Sequence, residues 1–199
     1  MSPVYLFLAT ALTAMTIENP AFARALGLGR DTMFMKSPKS GILLGGTLTW
    51  MVVLSSLFAA MFNVVLIDVA YAGLTRPLAY LASVALVYAF TVKILLERID
   101  MPTYKQRFVE VMPLATFNTA LFGAFYISVT QNFDVFQTIG YALGTGAGYT
   151  AAILIIYFAR QRLSVSPAPR SFRGLPVLLV YLGLISLALY GLIGRVLPT

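Results

Sequence analysis

The 199 residues carry 59% hydrophobic and 11% charged side chains, a net charge of +7 and no Cys or His, with a mean hydropathy of +0.86. Soluble domains hold about 25% charged residues, so this composition belongs in a bilayer. Disulfides, thiolate nucleophiles and iron–sulfur clusters held by this chain alone are excluded, as are the usual zinc, copper and haem ligand sets.

A spanning helix needs about 20 mostly apolar residues. Six segments satisfy that measure: about Val4–Leu26, Gly41–Ile67, Leu78–Leu96, Phe108–Val129, Val135–Phe158 and Leu175–Leu192. Their connections are short, and the alternating ten-residue strands of an outer-membrane barrel are missing. The expectation is an all-α integral membrane protein forming a single domain over 1–199, multi-pass in a bacterial or archaeal cytoplasmic (inner) membrane.

Basic residues concentrate in alternate loops. Arg30, Lys36 and Lys39 follow segment one, Arg98, Lys105 and Arg107 follow segment three, and Arg160, Arg162, Arg170 and Arg173 follow segment five. The connection between segments two and three carries only Arg76, and that between four and five has Asp134 without a base. Lys- and Arg-rich loops stay in the cytoplasm, which places both termini outside. The positive charge is thus a topology signal spread over three loops, and no nucleic-acid partner is expected. Ala21-Phe22-Ala23 resembles a signal-peptidase site, but a basic n-region is absent and segment one is expected to be retained.

Segments one and four are interrupted. Glu18-Asn19-Pro20 lies inside the first, and Asn caps helices while Pro favours the first helical position, so one helix stops and another starts there. In the fourth, Pro113 removes a backbone donor, and Thr116 and Asn118 can satisfy the groups it frees. The breaks fall in the first helix of each three-helix half, about 1–100 and 101–199. Such halves are inverted repeats with broken helices meeting near the bilayer midplane, a transporter architecture. Proline-kinked helices also serve packing alone.

Glu18 is the most informative residue, because an ionisable group in a span costs about 2.5–3.5 kcal/mol on insertion scales. With Asn19, Thr116, Asn118 and Thr119 it marks a candidate ion or substrate path; the alternative is a Glu that snorkels to water or pairs with a neighbouring subunit. Gly144, Gly146 and Gly148 offer a small-residue face for helix packing. Trp50 and most of the 11 Tyr read as interfacial anchors or core, and Met33 and Met35 as packing residues, with contact to a cofactor as the alternative. No catalytic residues, paired carboxylates, nucleotide fingerprint or metal ligands are found.

Several patches together resemble a known family. Glu18-Asn19 followed by Leu26-Gly27-Leu28 resembles the first helix of the small membrane subunits of the Rnf and Na+-translocating NADH:quinone reductase (Nqr) complexes. The run from Pro113 to Gly123 is similar to their fourth helix, Tyr141–Tyr149 to the start of their fifth, and Ala168–Gly174 to the turn before the sixth. Both termini outside matches the RnfA/NqrE branch rather than the related RnfE/NqrD branch.

The resemblance implies six helices in two inverted halves. It also implies a shared [2Fe–2S] cluster between this chain and a homologous membrane subunit, two Cys from each. This chain has Gly29 and Thr119 at those positions, so the family's intramembrane electron relay does not transfer to it and no cofactor is expected on this chain. The implied function is a membrane subunit of an ion-translocating electron-transport complex, at most a non-catalytic subunit of a redox-driven oxidoreductase, with other Rnf/Nqr-like subunits as partners. The alternatives are a repurposed freestanding dimeric transporter of a small solute or ion, and a purely structural membrane subunit.

Overall fold

The computed structural model describes residues 2–27, 35, 37–65, 72–98, 102–164, 169 and 172–193. Within them lie eight helices: α1 (Pro3–Met15), α2 (Pro20–Arg24), α3 (Pro38–Val65), α4 (Ala72–Arg98), α5 (Pro102–Thr116), α6 (Thr119–Thr130), α7 (Val135–Ser164) and α8 (Leu175–Ile193). No strand occurs among the described residues. The chain is a helical membrane protein.

Three stretches, Pro38–Phe62, Thr75–Ile94 and Val135–Leu163, are long and apolar enough to cross a bilayer, and α5 with α6 makes a fourth if the pair, bent by 44°, is one span. The first expected span is divided into α1 and the short α2, at the interruption expected at Asn19-Pro20. The 13 residues of α1 rise about 20 Å at 1.5 Å each, short of a hydrocarbon core of about 30 Å. The apolar stretch of α8, Pro176–Gly191, is also shorter than a full span within the described residues.

The long helix α7 is the centre of the bundle, and its glycines determine how closely its neighbours approach. A Cβ at Gly140 would strike the Phe7 carbonyl, one at Gly144 the Ala11 carbonyl, and one at Gly148 would come within 3.0 Å of Met15 Cα. These pairs advance together, so α1 runs parallel to α7 with its backbone in contact. On another side α7 meets α3 antiparallel: a Cβ at Gly45 would strike Thr150, and a Cβ at Gly146 would strike Thr49. Glycine at these crossings removes the side chain that would hold the backbones apart.

The expected face of Gly144, Gly146 and Gly148 is therefore split. Residues two apart point to nearly opposite sides of a helix, whereas residues four apart share a side. Gly144 and Gly148 meet α1, and Gly146 meets α3. Leu44, Leu48, Met51, Tyr141, Tyr149, Ile153 and Ile156 fill the buried centre. Met35 is buried and its sulfur packs over Gly41; Met33 lies outside the described residues. Trp50 is largely exposed, and its Nε1 donates to Thr91 Oγ1 at 3.3 Å.

Candidate functional site: the two helix breaks

Asn19 makes the first break. Its Oδ1 accepts from the Ala21 and Phe22 amides at 3.0 and 3.3 Å, and its Nδ2 donates to the Met15 carbonyl at 3.0 Å. One buried amide thus satisfies both a terminal carbonyl of α1 and two leading amides of α2, groups that helix ends leave without partners. The short α2 ends in left-handed Ala25 (φ 52°), and Gly27 follows at φ +74°.

The second break lies beyond where Pro113 suggested. Helix α5 continues through Pro113 to Thr116, and the Phe117 amide still donates to the Pro113 carbonyl at 3.0 Å. The interruption is at Asn118, whose Oδ1 accepts from the Ala120 amide at 2.8 Å to start α6. Nor do Thr116 and Asn118 serve the group that Pro113 frees, the carbonyl four residues before it. Thr116 Oγ1 donates to the Met112 carbonyl at 2.7 Å, and Asn118 is engaged with α6 and with Tyr149.

These two breaks are tied through Gly27. Its amide donates to Thr119 Oγ1 at 2.8 Å, and its carbonyl accepts from the Tyr149 hydroxyl at 2.8 Å. That hydroxyl also accepts from Asn118 Nδ2 at 2.9 Å. A ring of hydrogen bonds therefore joins the loop after α2 to the start of α6 and the middle of α7. Positive φ and crowding coincide at Gly27: an added Cβ would lie against Asn118 Oδ1 and 2.7 Å from Tyr149 Cε2.

The half-buried Glu18 takes no part in this ring. Its Oε1 accepts from Gln131 Nε2 and its Oε2 from the Tyr141 hydroxyl, both at 3.1 Å. Tyr141 is buried, with its ring centroid 5.4 Å from that of Phe133. The carboxylate thus has two partners within the chain, the exposed Gln131 and the buried Tyr141. Glu18 and Asn19 are adjacent yet serve different clusters, while Asn118 and Thr119 belong to the Gly27 ring and Thr116 sits one turn before it.

Sequence reasoning missed Gln131, Tyr141 and Tyr149 as partners. The two tyrosines bracket the glycine run of α7 eight residues apart, a spacing of little more than two turns that puts them near one side of the helix. That spacing was the available signal.

The cluster implied by the family resemblance does not fit these residues. Gly29 lies outside the described residues and in any case has no side chain to donate. Thr119 offers a neutral hydroxyl already bonded to the Gly27 amide, whereas iron–sulfur clusters are held by thiolates. Among the described residues no three acidic side chains gather in a metal-binding group.

A family profile described as "Rnf-Nqr subunit, membrane protein" matches residues 7–196. The A-type subunit of the ion-translocating oxidoreductase complex of Yersinia pseudotuberculosis is 30% identical over 191 residues, covering 96% of both chains. The corresponding protein of Syntrophotalea carbinolica is 26% identical over 183 residues, covering 92% of this chain and 94% of its own. The A-type subunit of the Na+-translocating ferredoxin:NAD+ oxidoreductase complex of Acetobacterium woodii is 24% identical, with the same coverage. These matches run nearly end to end, through both helix breaks and the glycine-rich α7, and the chain belongs to the Rnf-Nqr family of membrane-protein subunits.

Proposed function

We propose that this chain is a subunit of an ion-translocating electron-transport complex, seated in the inner membrane, which it serves without iron–sulfur ligands of its own. The observation that carries the reading is the nearly end-to-end likeness to the A-type subunits of such complexes. In place of a cluster ligand, Thr119 fastens Gly27, so electrons pass by another subunit while this one shapes the membrane path. Glu18, a carboxylate in the first apolar segment held by Gln131 and Tyr141 beside an interrupted helix, is the group on that path.

The reading includes six membrane passes in two inverted halves, with both termini outside. The reciprocal Gly45–Thr150 and Gly146–Thr49 contacts between antiparallel α3 and α7 support it. So does the placing of a capping Asn at each helix break. A homologous membrane subunit pairs with this one face to face.

Purification of the tagged chain in mild detergent, with native mass and a visible spectrum, tests the proposal. Larger subunits with flavin or iron–sulfur absorption are expected to come with it. A colourless monomer or homodimer would overturn the reading and favour a freestanding transporter.

A further inference from the structure

A cavity of about 370 Å3 lies where α3 and α6 end and α4 and α7 begin, with neither Glu18 nor the Gly27 ring in its lining. Its polar lining is Arg76, Asp134, Ser56, Ser128, Asn132 and Thr138, and the rest is Ala, Val and Phe. Its volume falls within the ~300–1,000 Å3 typical of small-ligand sites.

Arg76 is only partly exposed, and its Nε is shielded from solvent with no hydrogen-bond partner among the described residues. Buried polar groups are normally satisfied, and a shielded Nε–H without a partner is costly. Asp134 is accounted for on one side only. Its Oδ1 accepts from the Gln137 amide at 2.7 Å, while Gln137 Oε1 accepts from the Asp134 amide at 3.0 Å, a reciprocal cap that starts α7. Among the described residues the other carboxylate oxygen remains available at the exposed rim.

One cation and one anion on the same cavity select against simple ions. A plain anion would meet Asp134, and a plain cation would meet Arg76. The lining residue Val135 is itself exposed, and Met61, Tyr126 and Phe136 are exposed apolar side chains next in sequence to the lining residues Ala60, Phe125 and Val135. They suit an amphiphile whose head enters and whose chains lie outside.

We infer that this cavity binds a phosphoethanolamine group, with the phosphate on Arg76 and the ammonium on Asp134, presented by a zwitterionic phospholipid or as the free headgroup. The ammonium supplies the N–H donors that Asp134 accepts, and the Ser56 and Thr138 hydroxyls have donors suited to phosphate oxygens, that of Ser128 being donated to the Ala124 carbonyl.

The test uses the purified, delipidated full chain, with phosphatidylethanolamine, phosphatidylglycerol and phosphatidylcholine each added back and retention read by native mass spectrometry. Phosphatidylethanolamine is expected to be retained best. Arg76→Gln should weaken its retention by about tenfold or more, the scale of one charge-assisted contact. Asp134→Asn keeps a helix-capping side chain and should abolish the preference over phosphatidylglycerol, whereas Lys39→Gln at the far end of α3 should change nothing. Competition by free phosphoethanolamine at millimolar concentration would assign the site to the soluble group, and its failure to compete would assign it to the intact lipid. Equal retention of all three lipids, or unchanged retention by a monodisperse Arg76→Gln variant, would overturn the inference.

Discussion

Thr119 Oγ1 receives the Gly27 amide at 2.8 Å, across 92 positions of sequence. This one contact joins the two interrupted helices and occupies the hydroxyl at a position where the family resemblance places a cluster ligand. Its counterpart, the Tyr149 hydroxyl on the Gly27 carbonyl, closes the same residue from the other side.

Thr119→Val keeps the shape of the side chain and removes the acceptor. The bond is open to solvent, so its loss should cost about the 0.5–1.5 kcal/mol net worth of an ordinary hydrogen bond; the thermal midpoint in detergent should fall slightly, while Thr119→Ser should stay close to the parent. Equal midpoints for Val and Ser would show that the bond contributes nothing.

Gly27→Ala meets both the positive φ and the walls formed by Asn118 and Tyr149. Loss of most monodisperse protein on size-exclusion chromatography is expected. Tyr149→Phe, which deletes only the hydroxyl shared by Asn118 and Gly27, should fold with a lowered midpoint.

At the first break, Asn19→Asp retains the acceptor for Ala21 and Phe22 but loses the donor to the Met15 carbonyl. Losing a helix cap altogether typically costs about 1 kcal/mol. The ordering expected from thermal melts is Asn above Asp, and a variant as stable as the parent would assign Nδ2 no role.

Glu18→Gln preserves size and leaves Tyr141 able to donate to the new amide oxygen, while removing the charge. Ion movement by the assembled complex should be lost with expression and assembly intact. Transport at the parental rate would remove Glu18 from the path.

Since the chain has no native Cys, single introduced thiols report topology cleanly. In intact cells a membrane-impermeant maleimide should label Ser2→Cys and spare Lys39→Cys until the membrane is opened. The reverse pattern would invert the proposed orientation.

Hydropathy and charge, which act locally along the chain, were enough to read a helical membrane protein from the sequence. The stop and restart at Asn19-Pro20 was legible for the same reason, because a capping amide and a proline act on backbone groups within a few residues. Pro113 misled because a helix can carry a proline when its surroundings supply packing, and the true interruption came at Asn118, where the backbone turns to cap α6.

What the sequence could not supply was the pairing of distant groups. Glu18 was recognisable as an isolated carboxylate, but Gln131 and Tyr141 stand 113 and 123 positions away. Gly144 and Gly146 looked equivalent in the glycine run until the helix screw sent one toward α1 and the other toward α3. Composition and local capping therefore determined the membrane class and the first helix break. Tertiary packing alone decided which polar groups meet, because each buried donor or acceptor takes whatever partner the crossing of helices brings within about 3 Å.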